Sequence, residues 1–157
     1  MKRSKGIWGK ALVLAVAGGS AFWLANFAIS RTPIAAEYRA ALSISYLPML
    51  VESLIAGLII GFFVSYFLLR FFNKIPTQDP ISKSVILTFI VLVIVTILIG
   101  GPSSYFATGD VLRYFIIGTI INVLRFLALG IGIGYLYRQL NKGFDPSASA
   151  STSAQAG

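Results

Sequence analysis

Residues 111–140 read VLRYFIIGTIINVLRFLALGIGIGYLYRQL. As a helix this run is long enough to cross a bilayer core of ~30 Å, which takes about 20 apolar residues. Arg125 falls near its middle. Asn122 lies one turn before it, and Gly130, Gly132 and Gly134 follow. A charge near the bilayer midplane is costly, and such residues turn inward, toward a partner charge, a cavity or another chain. Gly118 and Asn122 share the face of Arg125 at helical spacing.

Three more apolar runs of spanning length precede it, giving spans at about 7–29, 48–72, 80–100 and 111–138. The chain is 57% hydrophobic and 11% charged, against about 25% charged in soluble domains. Too little polar surface is left to cover a globule in water. The predicted fold is all-α: one integral membrane four-helix bundle over residues 1–142. The tail, 143–157, is Ser/Ala-rich and lacks bulky apolar residues, so disorder is expected there.

The first run follows a basic start, Lys2, Arg3, Lys5 and Lys10. A signal peptide cleaved near Gly19-Ser20-Ala21 is the competing reading. Apolar character continues through Phe22, Trp23, Leu24 and Phe27, too far for a typical signal core, so an uncleaved span is expected. Thr32-Pro33 opens a short amphipathic segment in the first connection. Ile34, Tyr38, Ala41 and Leu42 fall on its apolar face, with Glu37 and Arg39 off it.

The second span carries Glu52 on one face and the small-residue ladder Gly57, Gly61, Ser65 on the other. Two faces wanting protein neighbours predict a central helix. Asp79-Pro80 caps the third span, which is nearly all Val, Ile and Leu and is expected to face lipid most. Residues 101–104 (GPSS) end it, and Gly109-Asp110 caps the fourth span. Gly130 and Gly134 are read, like the second-span ladder, as helix-packing positions.

Lys2, Arg3, Lys5, Lys10, Arg70, Lys74, Lys83, Arg138 and Lys142 fall on one side of a four-span chain. Only Arg31, Arg39 and Arg113 fall on the other. This imbalance predicts a cell-membrane protein with both termini cytoplasmic, and anionic lipid as a partner at the cytoplasmic face. The net charge of +8 is thereby assigned to topology and lipid, not to nucleic acid. The second and fourth spans share Tyr46/Tyr114, Arg70/Arg138, Asn73/Asn141 and Lys74/Lys142 at one offset. A tandem duplication fits this, as does the general use of such residues where helices leave the membrane.

The chain has no Cys and no His. Thiolate and imidazole chemistry are excluded, and no cofactor or metal site is expected. No two carboxylates share a depth inside the spans, and the lysines are peripheral, so no enzyme is predicted. The candidate intramembrane polar site is Arg125, Glu52, Asn122 and Asn26. Arg125 leans toward its own N-terminus, and Glu52 lies at a reachable depth. An Arg125–Glu52 ion pair fixing helix register is the first reading of that site. On it, Arg125→Leu destabilises, and adding Glu52→Gln recovers part of the loss. The function expected first is helix–helix interaction, as a homo-oligomer or accessory membrane subunit; the alternative is a small oligomeric transporter or channel using Glu52 and Arg125.

Overall fold

A computed structural model describes residues 2–77, 79–100 and 109–142. Five α-helices follow one another: α1 (Lys2–Ser30), α2 (Pro33–Ala41), α3 (Tyr46–Phe71), α4 (Pro80–Gly100) and α5 (Gly109–Lys142). A 3₁₀ turn, Phe72–Lys74, follows α3. Among the described residues there is no strand. α1, α3 with its 3₁₀ turn, α4 and α5 supply four segments long and apolar enough to cross a membrane: Gly6–Ser30, Tyr46–Lys74, Pro80–Leu98 and Leu112–Asn141. Residues 101–108 and the tail 143–157, with the predicted stop and disorder, lie outside the described residues, as does the Asp110 side chain.

Local chemistry sets the visible ends. Thr32 caps α2: its Oγ1 accepts from the Ala35 N–H at 3.3 Å, and Pro33 takes the first turn, where no N–H is needed. Asp79 caps α4, its carboxylate accepting from the Ser82 N–H at 3.1 Å. The lone positive φ among described non-glycine residues, 54° at Ser43, turns the chain from α2 into α3.

The four long helices form a square in the order α3–α1–α5–α4, each antiparallel to its neighbours. The fourth side, α3 against α4, is the thinnest contact. Leu14, Phe22, Val64, Leu68, Leu92, Phe126, Leu129 and Ile133 make the core. Small residues decide the seams. A Cβ on Gly61 would lie 3.0 Å from the Ala15 carbonyl, and one on Gly19 would lie 3.1 Å from the Gly57 carbonyl carbon. α1 and α3 therefore meet backbone to backbone. Ser65 is fully buried in α3. α5 divides its glycines. Gly130 meets Val85 and Thr88 of α4, Gly134 meets Ile81 of α4, and Gly132 meets Ala17 and Ala21 of α1.

The expectation that the second span is central is corrected. α1 and α5 hold the middle positions of the bundle. The Gly57/Gly61 face of α3 is used up by α1, while its Glu52 face looks onto space and not onto a helix. α4 packs one stripe inward, with Ser84, Thr88 and Leu92 buried, and leaves Ile90, Val93, Ile94, Ile97 and Leu98 at least half exposed.

Gly134 is the tightest of these positions. A Cβ there would lie 2.5 Å from the Ile81 Cα, a backbone atom with no side-chain freedom to yield. Gly134→Val is expected to lower the unfolding free energy by about 1–3 kcal/mol through overpacking. Gly9, with nothing within 4 Å of an added Cβ, is the control: Gly9→Ala should stay within about 0.5 kcal/mol of the parent. Thermal unfolding in maltoside micelles measures both.

Candidate intramembrane site

The thin side of the square holds a partly open cavity of about 400 Å³ in the half of the bundle that carries α2. α5 supplies one wall at helical spacing: Phe115, Gly118, Thr119, Asn122 and Arg125. α3 supplies Met49, Glu52, Ser53, Ala56 and Ile60, and α4 supplies Leu92, Val95 and Thr96. Phe22 of α1 and Phe126 of α5 close the deep end, their rings edge to face at 5.7 Å and 76°.

α2 straps the opposite end, where Tyr38 lines the cavity. A Cβ on Gly118 would lie 2.7 Å from the Tyr38 hydroxyl, so glycine at 118 is what lets the phenol lie against α5. Tyr38 also tilts against Tyr114 at 6.4 Å. Arg39 donates to the Ser30 carbonyl at 2.8 Å, bonding α2 to the end of α1. Glu37 and Arg113 pair at 2.9 Å between α2 and α5. Both side chains are about half exposed, so in water that pair contributes at most about 1 kcal/mol. α2 thus turns Ala35 and Tyr38 inward and leaves Ile34 and Leu42 exposed, dividing the apolar face read from its sequence.

Of the four residues predicted for the polar site, three line this cavity: Arg125, Glu52 and Asn122. The fourth does not. Asn26 is fully buried in the α1–α3 seam, where its amide donates to Ser53 Oγ at 2.7 Å. Ser53 Oγ in turn donates to the Leu50 carbonyl at 2.9 Å, which also accepts from Trp23 Nε1 at 3.2 Å. This polar seam ties α1 to α3 beside the cavity.

The expected Arg125–Glu52 ion pair is absent. Among the described residues Glu37–Arg113 is the one carboxylate–cation pair. Arg125 Nε is buried with no hydrogen-bond partner, and Glu52 is exposed. The reason is depth. Phe22 touches the site of Gly57 and meets Phe126 edge to face, which puts Gly57 close to the level of Arg125. Glu52 is five residues from Gly57, roughly 8 Å along the axis at 1.5 Å per residue. The cavity, not a helix contact, lies between them.

Tyr38, Ser53, Thr96 and Thr119 complete the polar lining, and the sequence does not mark them as such. Thr119 and Thr96 look like isolated hydroxyls in apolar runs. The sequence places Tyr38 on a surface helix, and only the matching gap at Gly118 marks where it docks. The cavity therefore offers one guanidinium, one carboxylate, an amide and several hydroxyls within largely apolar walls, a set suited to holding a polar group by charge and hydrogen bonds. Among the described residues no group of His, Cys, Asp or Glu side chains is arranged to hold a metal ion. No known protein family, no curated protein and no solved structure matches the chain.

Proposed function

We propose that this chain is a small multi-pass membrane protein that binds a charged solute within the bilayer, in the cavity around Arg125, as a small transporter or channel does. One observation carries the reading. A guanidinium near the middle of the α5 span, residues Leu112–Asn141, has a buried nitrogen with no partner and borders a cavity of about 400 Å³. A charge kept at such depth without a counter-ion is accounted for by a ligand or by water in the cavity.

The alternative, a protein acting through helix–helix contact as a homo-oligomer or accessory subunit, has less support. The small-residue faces that would serve it, Gly57, Gly61, Gly130 and Gly134, are already filled by α1 and α4 of the same chain. In this reading both termini are cytoplasmic, and the basic residues at the α3–α4 connection and both chain ends meet anionic lipid at the cytoplasmic face of the cell membrane. The α2 end of the cavity is then the outer end.

The native absence of cysteine makes the test direct. Thr119 lines the cavity, whereas Leu124, 47% exposed, points out of the bundle. In membranes, Thr119→Cys is expected to react with a charged methanethiosulfonate reagent and Leu124→Cys is not. A Thr119→Cys that stays unmodified contradicts the reading.

A further inference from the structure

We infer that the cavity recognises a zwitterionic group: an oxyanion, phosphate or carboxylate, held by Arg125 and joined by a short linker to an ammonium held by Glu52. The inference rests on the reading of the cavity as a binding site and names what that site takes. Charge balance leads to it. The lining holds one cation and one carboxylate, on different helices and not bonded to each other. An occupant of one sign alone would satisfy one of them and leave the other without a counter-ion. A zwitterion satisfies both at once.

The placement of the groups agrees. Arg125 lies at the deep end beside Phe126, with Asn122 one turn away and its own Nε free to donate. Glu52 lies nearer the α2 end by roughly 8 Å of helix rise, an offset that two long side chains shorten to the span of a small linker. The remaining walls are apolar, with Ile60, Leu92, Val95 and Phe115 among them. Two of these belong to α4 and one to α3, the pair of helices whose mutual contact is thinnest. Apolar chains attached to the zwitterion can therefore leave between α3 and α4. The same chemistry is available from a phospholipid headgroup or from a free soluble zwitterion.

The test uses the wild-type chain in neutral maltoside micelles and follows its thermal midpoint during titration. The lipid arm compares phosphatidylethanolamine with phosphatidylglycerol, which has the phosphate but no ammonium. The soluble arm compares O-phosphoethanolamine with inorganic phosphate. In at least one arm the ammonium-bearing probe is expected to bind about tenfold tighter or more, as loss of one charged contact implies. Preference in the lipid arm alone identifies a headgroup; preference in the soluble arm identifies a free zwitterion. Glu52→Gln is expected to abolish the preference, and Arg125→Gln to abolish the binding of both probes. Equal affinities within each arm, no shift with any probe, or a preference that survives Glu52→Gln overturns the inference. If Thr119→Cys is nonetheless modified, the binding reading stands and only the ligand class fails. If it is not modified, the binding reading fails as well.

Discussion

Arg125→Met is expected to raise the stability of the ligand-free protein by about 1–3 kcal/mol while abolishing ligand binding. A guanidinium deep in a membrane span costs a few kcal/mol where nothing compensates it, and here Nε is buried without a partner. Methionine keeps much of the length of the side chain and removes the unmet polar group. Glu52 loses nothing, because it is exposed and not bonded to Arg125. The ion-pair reading of the sequence demands the opposite sign, a loss caused by stranding the carboxylate. A residue whose removal stabilises the fold is one retained for function at the expense of stability. Equilibrium unfolding in mixed micelles, measured beside ligand titration, reads both halves of the expectation.

Lys83→Met is expected to act in the other direction, lowering stability by about 2–3 kcal/mol. Lys83 is only 6% exposed. Its ammonium donates to the Phe72 carbonyl at 2.7 Å and lies 3.7 Å from the centre of the Phe72 ring. A cation at the end of α3 meets the free carbonyls and the negative end of the helix dipole. A hydrogen bond from a charged donor and a partly desolvated cation–π contact together account for the magnitude. The bond matters beyond its strength. α3 and α4 touch least of all neighbouring pairs, and Lys83 clamps them at the end away from the cavity. Lys83→Arg, which keeps the charge on a bulkier head, should recover part of the loss. An unchanged unfolding midpoint for Lys83→Met would show that the clamp contributes nothing.

The four spans were legible because a membrane imposes length and apolarity on each segment separately. The predicted 80–100 begins at the same Pro80 as α4, since the Asp79-Pro80 pair specifies a helix start by itself. Arg125 and Glu52 were legible as odd residues in apolar helices. Which helices lie side by side was not. A glycine ladder says that a face will be approached closely, but not by which partner. Nothing in the sequence shows that Gly132 packs against α1 while Gly130 and Gly134, on the same helix, pack against α4. The missing ion pair follows from that gap. Residue counting gives reach along the membrane normal, but the space between α3 and α5 depends on α1, which packs against both. Asn26 left the predicted site for a similar reason: its partner, Ser53, is a common small residue that carries no signal on its own.

The account depends on Arg125 and Glu52 bordering one cavity without bonding to each other, and a double-mutant cycle tests that most directly. The stability of the ligand-free parent, Arg125→Met, Glu52→Gln and the double variant should be measured in one micelle system. The expected coupling energy is below about 0.5 kcal/mol, as for residues that share no contact. A coupling of about 3 kcal/mol, with Arg125→Met destabilising alone and Glu52→Gln restoring the loss, would show a buried ion pair and contradict the account.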